Sequence, residues 1–148
     1  MREYSYRHIV TLDETNLVGN VYFAHYVHWQ GHCRERFLAE HAPGVLKALQ
    51  TGDLAMVTLS CRMDYYAECF ALDEVEVAMT LSECGGHRVG MSFEFRRDAR
   101  LVARGDQTVA CLSRTPDGMA PTELPVELAA ALAGFAASGS AAGGGRQL

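Results

Sequence analysis

The chain has no basic stretch. Thirteen Lys and Arg face eighteen Asp and Glu, the formal net charge is −5, and no basic run is longer than Arg96-Arg97. Neutralising a phosphate backbone needs a basic surface, so nucleic acid is excluded as a partner. Metal and disulfide frameworks are missing too. The five cysteines (Cys33, Cys61, Cys69, Cys84, Cys111) are an odd number, and no two form C-x-x-C. Buried, reduced thiols are the expectation. There is no apolar run of membrane length and no internal repeat. Met1-Arg-Glu-Tyr leads straight into a strand pattern, without signal-peptide character. A cytoplasmic protein that does not engage a membrane is expected.

What is present is enough for a core: 148 residues, 49% hydrophobic and 21% charged, which fits one domain. Tyr4, Tyr6, His8 and Val10 alternate with Ser5, Arg7, Ile9 and Thr11, a strand pattern. Leu12 to Gly19 is a polar loop. A long helix is expected to start between Asn20 and Ala24 and to end near His41, before Ala42-Pro43-Gly44. At helical spacing, Tyr26, Val27, Trp29, Gln30, Gly31, Cys33, Phe37 and Leu38 share one arc, and Arg34 projects within it. Val45 to Gln50 reads as a helical turn.

Strands follow. Met56–Phe70 alternates with Val57, Leu59, Cys61, Met63 and Tyr65 on one face. Asp73–Ser82 and Arg88–Arg97 are joined by Gly85-Gly86, a two-residue hairpin signal. Asp98-Ala99 turns the chain into Leu101–Arg114, where Gly105-Asp106 implies a bulge. Pro125–Phe135 fits a short helix. Residues 1–135 form the expected domain, and 136–148, rich in Ala, Gly and Ser, an expected disordered tail. The fold class is α+β: a curved antiparallel sheet wrapped around one long helix. One sheet and one helix leave apolar surface uncovered, so a homo-oligomer is expected.

Strand, polar loop with a Gly corner, aromatic-bearing helix, then long hairpins: this order resembles the hotdog-fold thioesterases of the 4-hydroxybenzoyl-CoA type, from about Tyr4 to Leu124. That family carries an Asp three residues before the corner glycine; here Asn16 stands there, in Asn16-Leu17-Val18-Gly19. The string ETNLVGNVYFAHYVHWQGHCRERFL is similar to the branch that serves enediyne biosynthesis. The resemblance implies a homotetrameric thioesterase without metal or cofactor. It would release a polyene from the acyl carrier protein of an iterative polyketide synthase, as an acid able to lose carbon dioxide. It also implies that Asn16, Arg34 and Thr58 bind and hydrolyse the thioester, with Tyr26 nearby.

Each of these residues has a plainer role as well. Asn16 does not titrate near neutrality, so it can orient water or the thioester but not act as a base; its plainer role is a local turn. Arg34 on a buried arc needs partners, either a developing oxyanion or a structural acid; a small error in helix phase would put Arg36 in its place. Thr58 can hold a water or be an ordinary strand residue. Backbone amides from Gly19 to Ala24 are candidate oxyanion donors. An apolar slot for the polyene is expected from Tyr26, Trp29, Gly31, Phe37 and Met63, which serve equally as core. His28, His32 and Glu35 have metal-ligand spacing but read better as a solvated face. Glu35 is an alternative base, although this phasing points it away from Arg34. Arg88, Arg96, Arg97, Arg100 and Arg104 form a candidate docking patch for an acidic carrier protein. Competing functions are a general acyl-CoA thioesterase, a non-catalytic acyl-binding domain, and a dehydratase, for which no His–acid pair is evident.

Overall fold

The computed structural model describes residues 2–136. The expected tail lies outside them except for Ala136, which bridges to Leu81. The first strand, β1 (Tyr4–Ile9), buries Tyr4 and half-buries Tyr6 and His8. A 3-10 turn at Leu12–Glu14 leads into the corner before helix α1 (His25–His41). The helix ends where expected: the Ala42 amide caps Leu38, and Pro43 opens α2 (Pro43–Thr51), which stops at Gly52 with φ 81°. The strands are β2 (Leu54–Tyr65), β3 (Glu74–Glu83), β4 (Arg88–Arg97), β5 (Arg100–Thr115) and the short β6 (Gly118–Pro121); α3 (Val126–Gly134) follows.

The sheet is antiparallel throughout, in the order β1-β3-β4-β5-β2, with β6 beside β5. It curls around α1 as a half-barrel, the hotdog arrangement. Trp29, Tyr26, Cys33 and Phe37 of the helix meet Val77, Met79, Phe93 and Phe95 of the concave face, all at most 2% exposed. Asp98 and Ala99 both take positive φ, 51° and 62°, and make the tight β4–β5 turn. The β3–β4 connection spans Gly85, Gly86 and His87, one residue longer than the glycine pair implied; Cys84 N–H still bonds Arg88 C=O at 3.1 Å.

Two strand expectations are corrected. Gly105-Asp106 holds no bulge: Gly105 pairs in register with Met63 and Phe93. The glycine serves close approach instead, since a Cβ there would lie 2.1 Å from Gln30 Nε2 and 2.6 Å from Met63 Sδ. Bulges lie instead on β5 at Val102, where the register with β4 shifts between Phe95 and Arg96, and on β2 between Thr58 and Ser60. One extra residue swaps the faces of a strand. Val57 therefore pairs with Ala110, whereas Cys61, Met63 and Tyr65 pair with Gln107, Gly105 and Ala103 on the concave side. Their common face, expected from alternation, is split. The thiols divide as well: Cys33, Cys69 and Cys111 are buried, Cys61 and Cys84 exposed. Among the described residues, no helix is long and apolar enough to cross a membrane.

Candidate active site

The corner before α1 is built on Glu14. Its carboxylate is 8% exposed. Oε1 accepts from Thr11 N–H (2.8 Å), Thr11 Oγ1 (3.0 Å) and His8 Nε2 (2.7 Å); Oε2 accepts from the Trp29 indole (2.6 Å). Burial pushes its pKa up, but the donors from Thr11, Trp29 and His8 outweigh that and hold it down at about 2. One anion thereby ties β1, the loop and α1 together. The sequence reading passed over Glu14, although Thr11-x-x-Glu14 is a capping-box pattern that could have flagged it.

Asn16 closes the corner. Gly19 N–H donates to Asn16 C=O (2.8 Å), Asn16 N–H to Asn20 C=O (2.7 Å), and Asn16 Nδ2 to Asn20 Oδ1 (3.2 Å). Gly19 sits at φ 95°, where a side chain would be strained. The corner borders an open cleft of about 310 Å³, lined by Asn16, Asn20, Phe23, Tyr26, Tyr65 and Glu68 among others. Burial and the neighbouring Cys69 keep the Tyr26 hydroxyl protonated. The helix begins at His25, so Gly19 to Ala24 are not its first turn. The amides of Gly19, Val21 and Tyr22 are already bonded to Asn16, Cys69 and Glu14. The His25 and Val27 amides donate as well, to Tyr22 and Ala24 C=O, so Phe23, Ala24 and Tyr26 N–H are the candidate oxyanion donors around the helix start.

Arg34 lies elsewhere, about 14 Å along the helix axis from its start. The helix phase is as expected: Arg34 Nη1 donates to the buried Gln107 Oε1 (3.2 Å), while Arg36 stacks over Tyr6 on the other side (5.2 Å). Arg34 lines an open groove of about 760 Å³ between α1, α2 and β2, with Leu38, Leu46 and Met56. Glu35 borders the same open groove, as Arg36 does. Thr58 pairs with Val109 and shares the concave face with Met56, two residues away. Arg34 and Thr58 thus belong to one end of the molecule and Asn16 to the other. A single chain does not gather the three.

The expected slot residues also separate. Tyr26 lines the Asn16 cleft. Trp29 is fully buried and held by Glu14. Met63 sits under the helix against Gln30, whose buried Oε1 has no partner among the described residues. Gly31 faces open space. Phe37 alone reaches the apolar slot beneath α1. His28, His32 and Glu35 form no metal-ligand set; among the described residues no three His, Cys, Asp or Glu do.

The model of the thioesterase-like superfamily matches residues 10–132. The chain belongs to this superfamily. It is a thioester hydrolase with the hotdog fold. It is 57% identical to the dynemicin thioesterase, whose crystal structures revealed induced-fit and allosteric effects upon polyene binding; the match covers 92% of this chain and 99% of that one, with a TM-score of 0.87. A 1,4-dihydroxy-2-naphthoyl-CoA hydrolase from Synechocystis is 24% identical over 87% of this chain and 95% of its own length. A 4-hydroxybenzoyl-CoA thioesterase variant in complex with 4-hydroxybenzoyl-CoA shares the fold at 14% identity, covering 89% of this chain and 99% of that one, with a TM-score of 0.78.

The arginine patch of this thioesterase is dispersed by ion pairing. Arg96 is held by Glu3, Glu76 and Glu94, Arg97 by Asp73, and Arg104 by Glu94. Arg88 and Arg100 stand at opposite ends of the β4–β5 ladder.

Proposed function

We propose that this thioesterase hydrolyses a polyene acyl thioester carried on the acyl carrier protein of an iterative polyketide synthase, in enediyne biosynthesis, at a site shared by two copies of the chain. The carrying observation is the layout of β2. Tyr65, near one end, lines the Asn16 cleft; Met56, near the other, lines the Arg34 groove. They lie about 30 Å apart along the strand. The strand is an edge, exposed from Val57 to Arg62, with Val57 and Leu59 at 40% and 49%. Antiparallel pairing of β2 with its copy, about a two-fold axis between Leu59 and Ser60, sets Tyr65 of one chain opposite the Leu54–Met56 end of the other. Asn16 of one copy then faces Arg34 and Thr58 of its partner. A homotetramer of two such dimers belongs to this proposal.

In that composite site the thioester carbonyl takes hydrogen bonds from the amides at the start of α1 and from the Arg34 guanidinium of the second chain. These charges stabilise the oxyanion more than the ground-state carbonyl. Water held between the Asn16 oxygen and the Thr58 hydroxyl attacks the carbon. The C–S bond breaks, the thiolate takes up a proton, and the acid leaves. A β-keto acid would lose carbon dioxide after release. The 57% identity to a protein studied with bound polyene supports the substrate class.

Complementation tests the reading. Asn16→Ala and Arg34→Ala homomers should each be nearly inactive. Exchanging their subunits at random should restore roughly a quarter of wild-type turnover, because half the dimers are mixed and each holds one intact site. Mass spectrometry of the product from a loaded carrier protein reads the chemistry; no recovery on mixing removes the shared site. A second reading, a general acyl-CoA thioesterase, is favoured by the ion pairing that dissolves the expected carrier-docking patch. Higher turnover of acyl-CoA than of the acyl carrier protein thioester would select it.

A further inference from the structure

An asparagine side chain has two chemical faces, an oxygen that accepts and an NH2 that donates. Which face Asn16 keeps free depends on what holds the other. Its Nδ2 donates to Asn20 Oδ1 (3.2 Å), and Asn20 Nδ2 donates in turn to Glu68 Oε2 (3.0 Å). Glu68 stands in the connection between β2 and β3 and lines the same cleft as Asn16, Asn20 and Tyr26.

Both ends of this chain of side chains are anchored through the backbone. Arg97, itself paired with Asp73 (3.2 Å), donates from Nη1 to the Glu68 C=O. Val21 N–H donates to Cys69 C=O (2.8 Å), and Asn20 bridges to Phe70. Asn16 N–H donates to Asn20 C=O (2.7 Å), which sets the two asparagines side by side. The direction of the side-chain bonds then follows from chemistry. A carboxylate only accepts. Asn20 must turn its NH2 to Glu68 and its oxygen to Asn16. Asn16 must answer with its own NH2, because two facing amide oxygens repel. Its Oδ1 is the acceptor left over.

We infer that Glu68 is a positioning residue: through Asn20 it fixes the Asn16 amide with the oxygen free to hold the attacking water. This rests on the role given to Asn16 in the thioesterase reading above. It also supplies what an amide at this corner needs. An aspartate would offer an acceptor whichever way it turned, whereas an asparagine does so in one orientation only.

The test is a polarity series at Glu68 in the full chain, with kcat and KM measured separately on a β-ketoacyl-pantetheine thioester. Glu68 is exposed, so each variant should keep the Tm of wild type. Glu68→Lys can only donate; it reverses both hydrogen bonds and should lower kcat by at least about tenfold, with KM within about twofold. Glu68→Gln can do either and should fall between. Adding Asn20→Asp to Glu68→Gln reverses the first bond but still turns an acceptor to Asn16, and should return kcat to within about threefold of wild type. In Asn16→Ala the residual rate should not fall further on Glu68→Lys; an equal loss there overturns the relay. Wild-type kcat in Glu68→Lys, beside an inactive Asn16→Ala, overturns the relay and leaves the role of Asn16 standing. Wild-type kcat in Asn16→Ala removes that role and this inference with it. The NMR signals of the Asn16 side-chain NH2 give a readout free of catalysis. They should shift in Glu68→Lys, and unmoved signals overturn the relay whether or not a thioester is cleaved.

Discussion

The two edges of the sheet are finished in opposite ways. At the β1 edge the strand has six residues, with Arg7 outward and paired to Glu74 (3.0 Å). Its inward His8 is spoken for by Glu14 and by Tyr6, whose hydroxyl lies 3.0 Å from His8 Nδ1. The β2 edge has twelve residues, is bulged, and exposes Val57, Leu59 and Cys61. Short, charged edges resist pairing, while long apolar edges invite it. In the proposed dimer the β1 edge stays alone and the β2 edge is covered. The contrast also shows why the catalytic candidates are split within one chain: they lie at the two ends of the open edge.

The hardest blow to this contrast is a charge on the open edge. Leu59→Lys should leave a folded monomer, by light scattering and circular dichroism, and lower kcat/KM by on the order of 10²-fold or more, because the composite site is lost. A dimer with full activity would mean that β2 is not the interface. Next come the site residues. Arg34→Ala should lower kcat by about 10²–10³-fold with the oligomer intact. Glu35→Gln, in the same groove, separates water held by Asn16 from a carboxylate base: unchanged kcat supports the former, and a kcat loss of similar size the latter.

The closed edge is probed through Glu14. Its folded pKa, about 2, lies below the ordinary 4.5. A depressed carboxylate contributes stability that is complete above 4.5 and is lost as pH falls toward 2. At ~1.4 kcal/mol per tenfold change in proton affinity, this is worth about 3 kcal/mol. Glu14→Gln should therefore unfold more easily in urea at neutral pH, and the difference from wild type should shrink between pH 4.5 and 2. The smallest effect belongs to Arg7→Ala. That exposed pair should cost under about 1 kcal/mol, read as the urea midpoint, and less still in high salt.

Much of the fold was legible from local pattern. Alternation placed the strands, Ala42-Pro43 ended α1, and helical spacing put Arg34 rather than Arg36 inward. Where the reading failed, the cause was an interaction distant in sequence. Strict alternation could not show that one extra residue at Leu59 would bring Thr58 onto the concave face and leave Val57 off it. A run of arginines on neighbouring strands looked like a docking patch until Glu3, Glu76 and Glu94 came in beside Arg96. Glu14 looked like loop polarity, because its four donors come from β1, the loop itself and α1.

The amino-acid sequence by itself determined the elements, their order and the Asn16 corner, since these depend on neighbours along the chain: period, turn chemistry, a glycine at positive φ. The tertiary structure alone decided which edge stays open, which arginine is neutralised, and that Asn16 and Arg34 stand apart in one chain. Those outcomes depend on the curl and register of the sheet, which bring residues sixty or more positions apart into contact, as Arg34 meets Gln107 and Arg96 meets Glu3.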